Sequence, residues 1–295
     1  IPNSVTHLTF GDHFDQELNP GDRNLILSNQ NPADERMLSA IPNRVTHLTF
    51  GSEFNQKLKH GDIPNSVTHL IFGFDNRFRN KWEFDGKFDQ KLEKGIIPNS
   101  VTCLIFGYYF NQKLEPEVRN LIFSNQNQAD ERMLSAIPDS VTHLTFGGLF
   151  SQEIKKGILP KNITHLTFGY SFYNKIRKGG IPDSVKHLIF NGLLNQKLEN
   201  IPSNVTHLTI GRVFSQKLNI IKRNIIYLKV NKFCDLSQIK SNCYCNNSDN
   251  SNIDNFILYG FNKQILLKDL VKIYMHPTKI VKYIELYGED FEDFI

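Results

Sequence analysis

Apolar residues recur along this chain in a fixed order. Ile1, Val5, Leu8, Phe10, Phe14 and Leu18 stand apart among polar and small residues, and the same series returns many times. Leu8 and Phe10 are two positions apart, which puts both on one face of a strand and turns His7 and Thr9 to the other. The run from Val5 to Phe10 is rich in β-branched and aromatic residues and stops at Gly11, so it predicts one short strand. Pro2 cannot donate to a ladder and marks the bend into that strand. The return stretch Phe14 to Leu18 is too short for a full helix; a turn or a short 3₁₀ piece is expected there.

The Ile-Pro start of this unit recurs at Ile41, Ile63, Ile97, Ile137, Leu159, Ile181 and Ile201 and fades at Ile221, at intervals of 40, 22, 34, 40, 22, 22, 20 and 20 residues. Each 40-residue interval has room for a second, degenerate unit, and residues 23–28 and 119–124 are expected to fill its strand position. Residues 33–42 reappear letter for letter as 129–138, and Ile1 maps onto Ile97 with the same offset of 96. A copied block of this kind is tolerated where each unit touches only its neighbours. The predicted fold is mainly β: an open, leucine-rich-repeat-like solenoid of about eleven coils of 20–22 residues, one short parallel strand each, with a sheet about 50 Å long at ~4.8 Å per strand. A β-propeller needs blades of about 40 residues with four strands each, which the shorter intervals exclude. The expected division is a solenoid over 1–232 with an insertion at about 74–87, an Asn/Ser/Cys-rich linker over 233–253, and a helical cap over 254–295.

The Ile-Pro starts, the Leu-Thr-Phe-Gly strands at Leu48 to Gly51 and Leu144 to Gly147, and the Phe-Asn-Gln blocks at Phe54 and Phe110 resemble the FNIP (IP22) repeat. This is a leucine-rich-repeat relative abundant in social amoebae and in giant viruses that infect amoebae. The resemblance covers about residues 1 to 230. It implies an interaction scaffold in the cytoplasm of an amoeba or of a virus-infected host cell, with no catalytic residues to carry over. Some relatives carry an N-terminal F-box that tethers a target to a ubiquitin ligase; that segment would lie outside this chain.

Composition narrows the function further. The 34 basic and 30 acidic residues, a net charge of +4, are scattered without a cationic stripe, which argues against nucleic acid. Cys103, Cys234, Cys243 and Cys245 are too few and too uneven for a disulfide framework and point to a reducing compartment. No stretch approaches the roughly 18 consecutive apolar residues of a membrane helix, and no signal-peptide pattern is seen. The chain begins at Ile1, on the first residue of a unit, so a preceding segment is expected to have been removed. Polar residues recur in rows of one type rather than as a nucleophile with a base or as paired carboxylates. The expectation is therefore no enzyme and no cofactor, but a monomer that binds another protein.

Candidate contact residues follow from the alternation. His7, His47, His69, His143, His165, His187 and His207, with Cys103 once in their place, are predicted to form a ladder on the exposed strand face, their rings about 5 Å apart. Thr9, Thr49, Thr145, Thr167 and Thr209 share that face, and Thr6, Thr46 and Thr142 flank it. Metal sequestration by the histidines is an alternative, although a straight row does not converge as zinc ligands do. A structural or decoy protein without a dedicated partner is another. The insertion brings Arg77, Phe78, Arg79 and the single tryptophan, Trp82, a composition common at interface hot spots. Cys234, Cys243 and Cys245 read as free thiols in a loop. Beyond Asp254, Leu266, Leu267, Leu270, Val271 and Tyr274, then Ile280, Val281, Ile284 and Leu286, follow helical spacing around Pro277, the basis for the cap.

Overall fold

The protein is seen in a computed structural model that describes residues 1–18, 40–75, 84–114, 135–192 and 200–210. Four further strands, at 227–231, 275–276, 279–280 and 283–287, are described by their backbone. The strand predicted in each unit forms. β1 (His7–Thr9), β2 (His47–Phe50), β3 (His69–Phe72), β6 (Cys103–Ile105), β7 (His143–Thr145), β8 (His165–Phe168), β9 (His187–Phe190) and β10 (His207–Ile210) lie side by side in that order. β11 (Tyr227–Asn231) and β14 (Tyr283–Tyr287) complete one open sheet of ten strands, every neighbouring pair parallel. Equivalent residues face each other throughout: His7, His47, His69, Cys103, His143, His165, His187, His207 and Tyr227 hold one register.

Each coil bends at the places where its sequence changes character. Val5, Val45, Val67, Val101 and Val141 each donate their N–H to the carbonyl of the proline three residues back, at 3.1 Å, closing the β-turn that opens the strand. After the strand a glycine begins the second turn; Phe14 N–H to Gly11 O, at 3.0 Å, is one instance. Glycine is needed there because coils stack backbone on backbone. A Cβ on Gly147 would stand 1.9 Å from the Gly107 carbonyl oxygen, and one on Gly169 would stand 2.0 Å from that of Gly147. Between the two turns the apolar side chains point inwards: Val45, Leu48, Phe50 and Phe54 are buried, as are their counterparts in the described coils that follow. Phenylalanines form two columns. Phe50, Phe72, Phe106 and Phe146 make one and Phe54, Phe88, Phe110 and Phe150 the other; within a coil the two rings are 3.8–4.1 Å apart.

The structure revises or adds detail to four expectations. First, the stretch Phe-Asn-Gln-Lys-Leu is neither turn nor 3₁₀ helix in the described coils; it runs extended, and side chains supply its ladder. Asn55 N–H donates to Asp15 Oδ1 at 2.8 Å, Asp89 N–H to Asn55 Oδ1, Asn111 N–H to Asp89 Oδ1 and Ser151 N–H to Asn111 Oδ1, each of the last three at 2.9 Å. The glutamine amides of Gln56, Gln90, Gln112 and Gln152 reach back to the same neighbours. The chain curves away from sheet geometry here, and an Asn or Asp side chain takes the place of the missing backbone acceptor.

Second, no strand stands between the ends of the 40-residue intervals in the main sheet. β1 pairs with β2 and β6 with β7 directly, a separation that leaves no room for another strand. Residues 23–28 and 119–124 lie outside the described residues. Ten strands of this sheet are described, roughly consistent with the eleven coils expected. Third, the insertion opens as a hairpin: β4 (Phe74–Asp75) pairs antiparallel with β5 (Phe84–Asp85). Arg77, Phe78, Arg79 and Trp82 lie outside the described residues. Fourth, within the segment expected to form a helical cap, β12 (Met275–His276) pairs antiparallel with β13 (Lys279–Ile280), and β14 continues the main sheet. Ile280, Ile284 and Leu286 are therefore on strands rather than helices. Ile284 and Leu286, two apart between tyrosines, also satisfy strand spacing, and they take the register positions of Leu228 and Val230. Residues 254–274, where the first helix is expected, and Cys234, Cys243 and Cys245 lie outside the described residues.

Candidate functional site

The candidate site is the outward face of this sheet, and its regularity begins with the residue before each histidine. Two backbone N–H groups of a coil converge on one carbonyl of the coil before it: Thr46 and His47 both donate to Thr6 O, at 2.8 and 3.1 Å. The Thr46 hydroxyl lies 3.1 Å from that same oxygen and 2.9 Å from its own neighbour's ring, at His47 Nδ1. The arrangement repeats at Thr68 with His69, Thr142 with His143, Thr164 with His165 and Thr206 with His207. Lys186 stands in the threonine position before His187.

These threonines fix the ring planes, and the rings stack. His7, His47 and His69 form one run with centroids 4.1 and 4.2 Å apart; His143, His165, His187 and His207 form a second with 4.2, 4.2 and 4.1 Å. The spacing is shorter than the expected 5 Å because the rings lean into face-to-face contact. Cys103, a half-buried free thiol held above its ordinary pKa by burial, separates the two runs. Two residues further along each strand a second row runs parallel: Thr9, Thr49, Ile71, Ile105, Thr145, Thr167, Ile189 and Thr209. The hydroxyls of Thr9, Thr49, Thr145, Thr167 and Thr209 make no hydrogen bond among the described residues. The hydroxyls of Thr46 and Thr142 are tied down between coils. The two flanking threonine rows, alike in sequence, thus differ in what they offer a partner.

Burial holds the pKa values of His47, His165, His187 and His207 below the usual histidine range; for His47, His165 and His187 neighbouring imidazoles add to it, and His165 is pushed down to about 4. In the unfolded chain these groups take up protons near their ordinary 6.5, whereas the folded rings take them up only at lower pH. Stability is therefore complete above pH 6.5 and falls as pH drops from there towards 4. Each ring that stays neutral contributes a slope of up to about 1.4 kcal/mol per pH unit in that window, reduced by solvent screening because the rings are only partly buried. Urea midpoints should be lower at pH 5 than at pH 8, and the difference should shrink in His165→Gln/His187→Gln. Equal slopes in wild type and double variant would show that the ladder does not titrate as a stack.

Among the described residues no group of three or more His, Cys, Asp or Glu side chains could hold a metal ion. No described helix is long and apolar enough to cross a membrane. A cleft of about 770 Å³ opens on the Ile-Pro corner rather than on the histidine face, bordered by Lys94, Lys156 and Lys161 and floored by Ala136 and Ile137. Sequence reasoning located the histidine and threonine rows. It missed the Asn/Gln ladder and the serines that brace the corner, Ser66 to Val45 O, Ser100 to Val67 O and Ser140 to Val101 O, at 2.7–2.8 Å. Their recurrence in Phe-Asn-Gln and Ile-Pro-x-Ser was the available signal.

Comparison with known proteins agrees with this geometry. The FNIP Repeat family matches residues 1–21, 39–75, 88–126 and 150–192. Among solved structures, CroV588, described as a circular LRR protein, is similar with a TM-score of 0.54 and 30% identity over 99% of this chain. This chain spans 38% of that protein's length. Comparison with curated proteins gives no match.

Proposed function

We propose that this chain, which is built of FNIP repeats folded into a leucine-rich-repeat-like solenoid, is a non-enzymatic scaffold that binds another protein on the outward face of its sheet. The observation behind this reading is the strip of in-register His and Thr/Ile rows, in which Cys103 takes one histidine position. Its second row presents free hydroxyls and methyl groups, about 34 Å from end to end at ~4.8 Å per strand. A strip of like residues provides area and hydrogen-bonding groups without the converging mixture of groups that catalysis requires.

The partner would be met by a monomer in the cytoplasm of an amoeba or a virus-infected host. In the finer form of the proposal the chain is the target-binding part of an F-box-type ubiquitin-ligase adaptor. That form rests on the family resemblance, and its F-box would lie outside this sequence. The test is affinity capture from host cells with the wild-type chain and with Thr49→Glu/Thr145→Glu/Thr167→Glu, whose fold is checked by circular dichroism. One protein recovered reproducibly by the wild type and lost by the folded variant supports the scaffold; equal recovery by both rejects this face. Ligase subunits recovered with the full-length gene product would support the adaptor form, and their absence would reject it.

A further inference from the structure

The threonine bridge determines which nitrogen of each imidazole carries the proton. A threonine hydroxyl has one hydrogen and here meets two potential acceptors, the preceding coil's carbonyl at 3.1–3.2 Å and its own neighbour's Nδ1 at 2.9 Å, for His47, His69, His143 and His165. The carbonyl can only accept, whereas the imidazole can do either. One assignment satisfies both contacts: the hydroxyl donates to the carbonyl, and Nδ1–H donates to the hydroxyl oxygen. The competing assignment, with the hydroxyl donating to Nδ1, leaves two oxygens facing each other with no proton between them. The geometry is the same in these four coils. Nδ1–H in each leaves Nε2 as a bare lone pair, and at His47, His69, His143 and His165 Nε2 takes no hydrogen bond among the described residues.

We propose that His47, His69, His143 and His165 are locked in the Nδ1–H tautomer and present Nε2 acceptors that receive a partner segment through arginine side chains. This rests on the scaffold reading of the same face. Neutral imidazoles aligned this way turn the negative ends of their dipoles outward together. A guanidinium is all donor and no acceptor, carries the complementary charge, and its fork can serve neighbouring acceptors about 4 Å apart. A carboxylate, acceptor only, would set lone pair against lone pair. Cys103 holds one position of the row and the second-row Thr and Ile residues run beside it; Lys186 replaces the bridging threonine before His187, so the bridged acceptors are the pairs His47–His69 and His143–His165. Burial and neighbouring imidazoles hold the pKa values of His47 and His165 below the usual histidine range, which disfavours protonation of those two acceptors.

The test uses the full chain labelled with ¹⁵N-histidine at pH 7.5. The expected spectrum shows protonated Nδ1 and bare Nε2 at His47 and His165. Thr46→Val should return His47, and Thr164→Val should return His165, to the Nε2–H form favoured by free imidazole. Bare Nδ1 in the native protein, or no change in either variant, overturns the lock. Hexa-arginine and hexa-glutamate peptides are then titrated separately. Movement of the Nε2 signals by hexa-arginine alone supports the arginine partner; movement by hexa-glutamate, or by neither, overturns it. A locked tautomer together with partner capture that survives the threonine-to-glutamate variants would sink the scaffold reading while leaving the lock intact.

Discussion

Phe106→Ala should lower stability by about 3–5 kcal/mol, the usual loss when a fully buried phenylalanine is truncated. The ring is 0% exposed and sits 3.8 Å from Phe110 in its own coil, 5.7 Å from Phe72 in the preceding coil and 5.9 Å from Phe146 in the following one. Neighbouring coils are locked to the sheet ladder and cannot collapse into the vacated space, so the cavity term stays near its upper value. The loss should also be visible in the shape of the transition. A lesion in the middle of a quasi-one-dimensional array breaks the chain of neighbour contacts, so urea unfolding should broaden or split in Phe106→Ala and stay single in a surface control such as Lys57→Ala. A drop below 1 kcal/mol with an unchanged transition would mean that the phenylalanine columns do not couple the coils.

A methyl group at the strand-ending glycine should be comparably damaging in one coil and harmless in another. In Gly147→Ala the new carbon would lie 1.9 Å from Gly107 O and 2.3 Å from its carbonyl carbon, a clash with backbone that no rotamer relieves. The expected cost is about 3 kcal/mol, at the top of the overpacking range, because relief requires the two coils to part. Gly11→Ala meets nothing within 4 Å and should stay within about 0.5 kcal/mol of wild type. The pair of thermal melts separates stacking from intrinsic glycine conformation. Equal effects at both positions would contradict the backbone contact between coils.

Much of this architecture was legible in the amino-acid order because one coil is read many times. The two-residue spacing of Leu48 and Phe50 predicts a strand with a buried face, and both are 0% exposed. The order Ile, Val, Leu, Phe, Phe, Leu names the core. Features that depend on contact between distant coils were harder to read. Phe-Asn-Gln looks like a turn in isolation, since only the coil above reveals that Asn55 Oδ1 substitutes for a backbone acceptor. Leu25 to Leu27 invites a strand between His7 and His47, whose direct pairing leaves no place for one there. Ile280, Val281 and Ile284 fit helical spacing while Ile284 and Leu286 fit strand spacing, and partnership with Leu228 and Val230 decides between them. The histidine row was located from alternation, but the proton-bearing nitrogen needed the cross-coil bond from Thr46 to Thr6.

The direct pairing of His7 with His47 and of Cys103 with His143 has a consequence for how such a chain can diverge. The ladder advances by one strand whether an interval holds 20, 22 or 40 residues, so interval length is decoupled from the pitch of the scaffold. Both long intervals leave the described core at the equivalent residues Leu18 and Leu114 and rejoin it just before Ile41 and Ile137. That corner is a tolerated port. New segments can be gained, exchanged or lost there by copying errors while the rows beside it keep their register, so partner choice can change quickly on a frame that hardly changes at all.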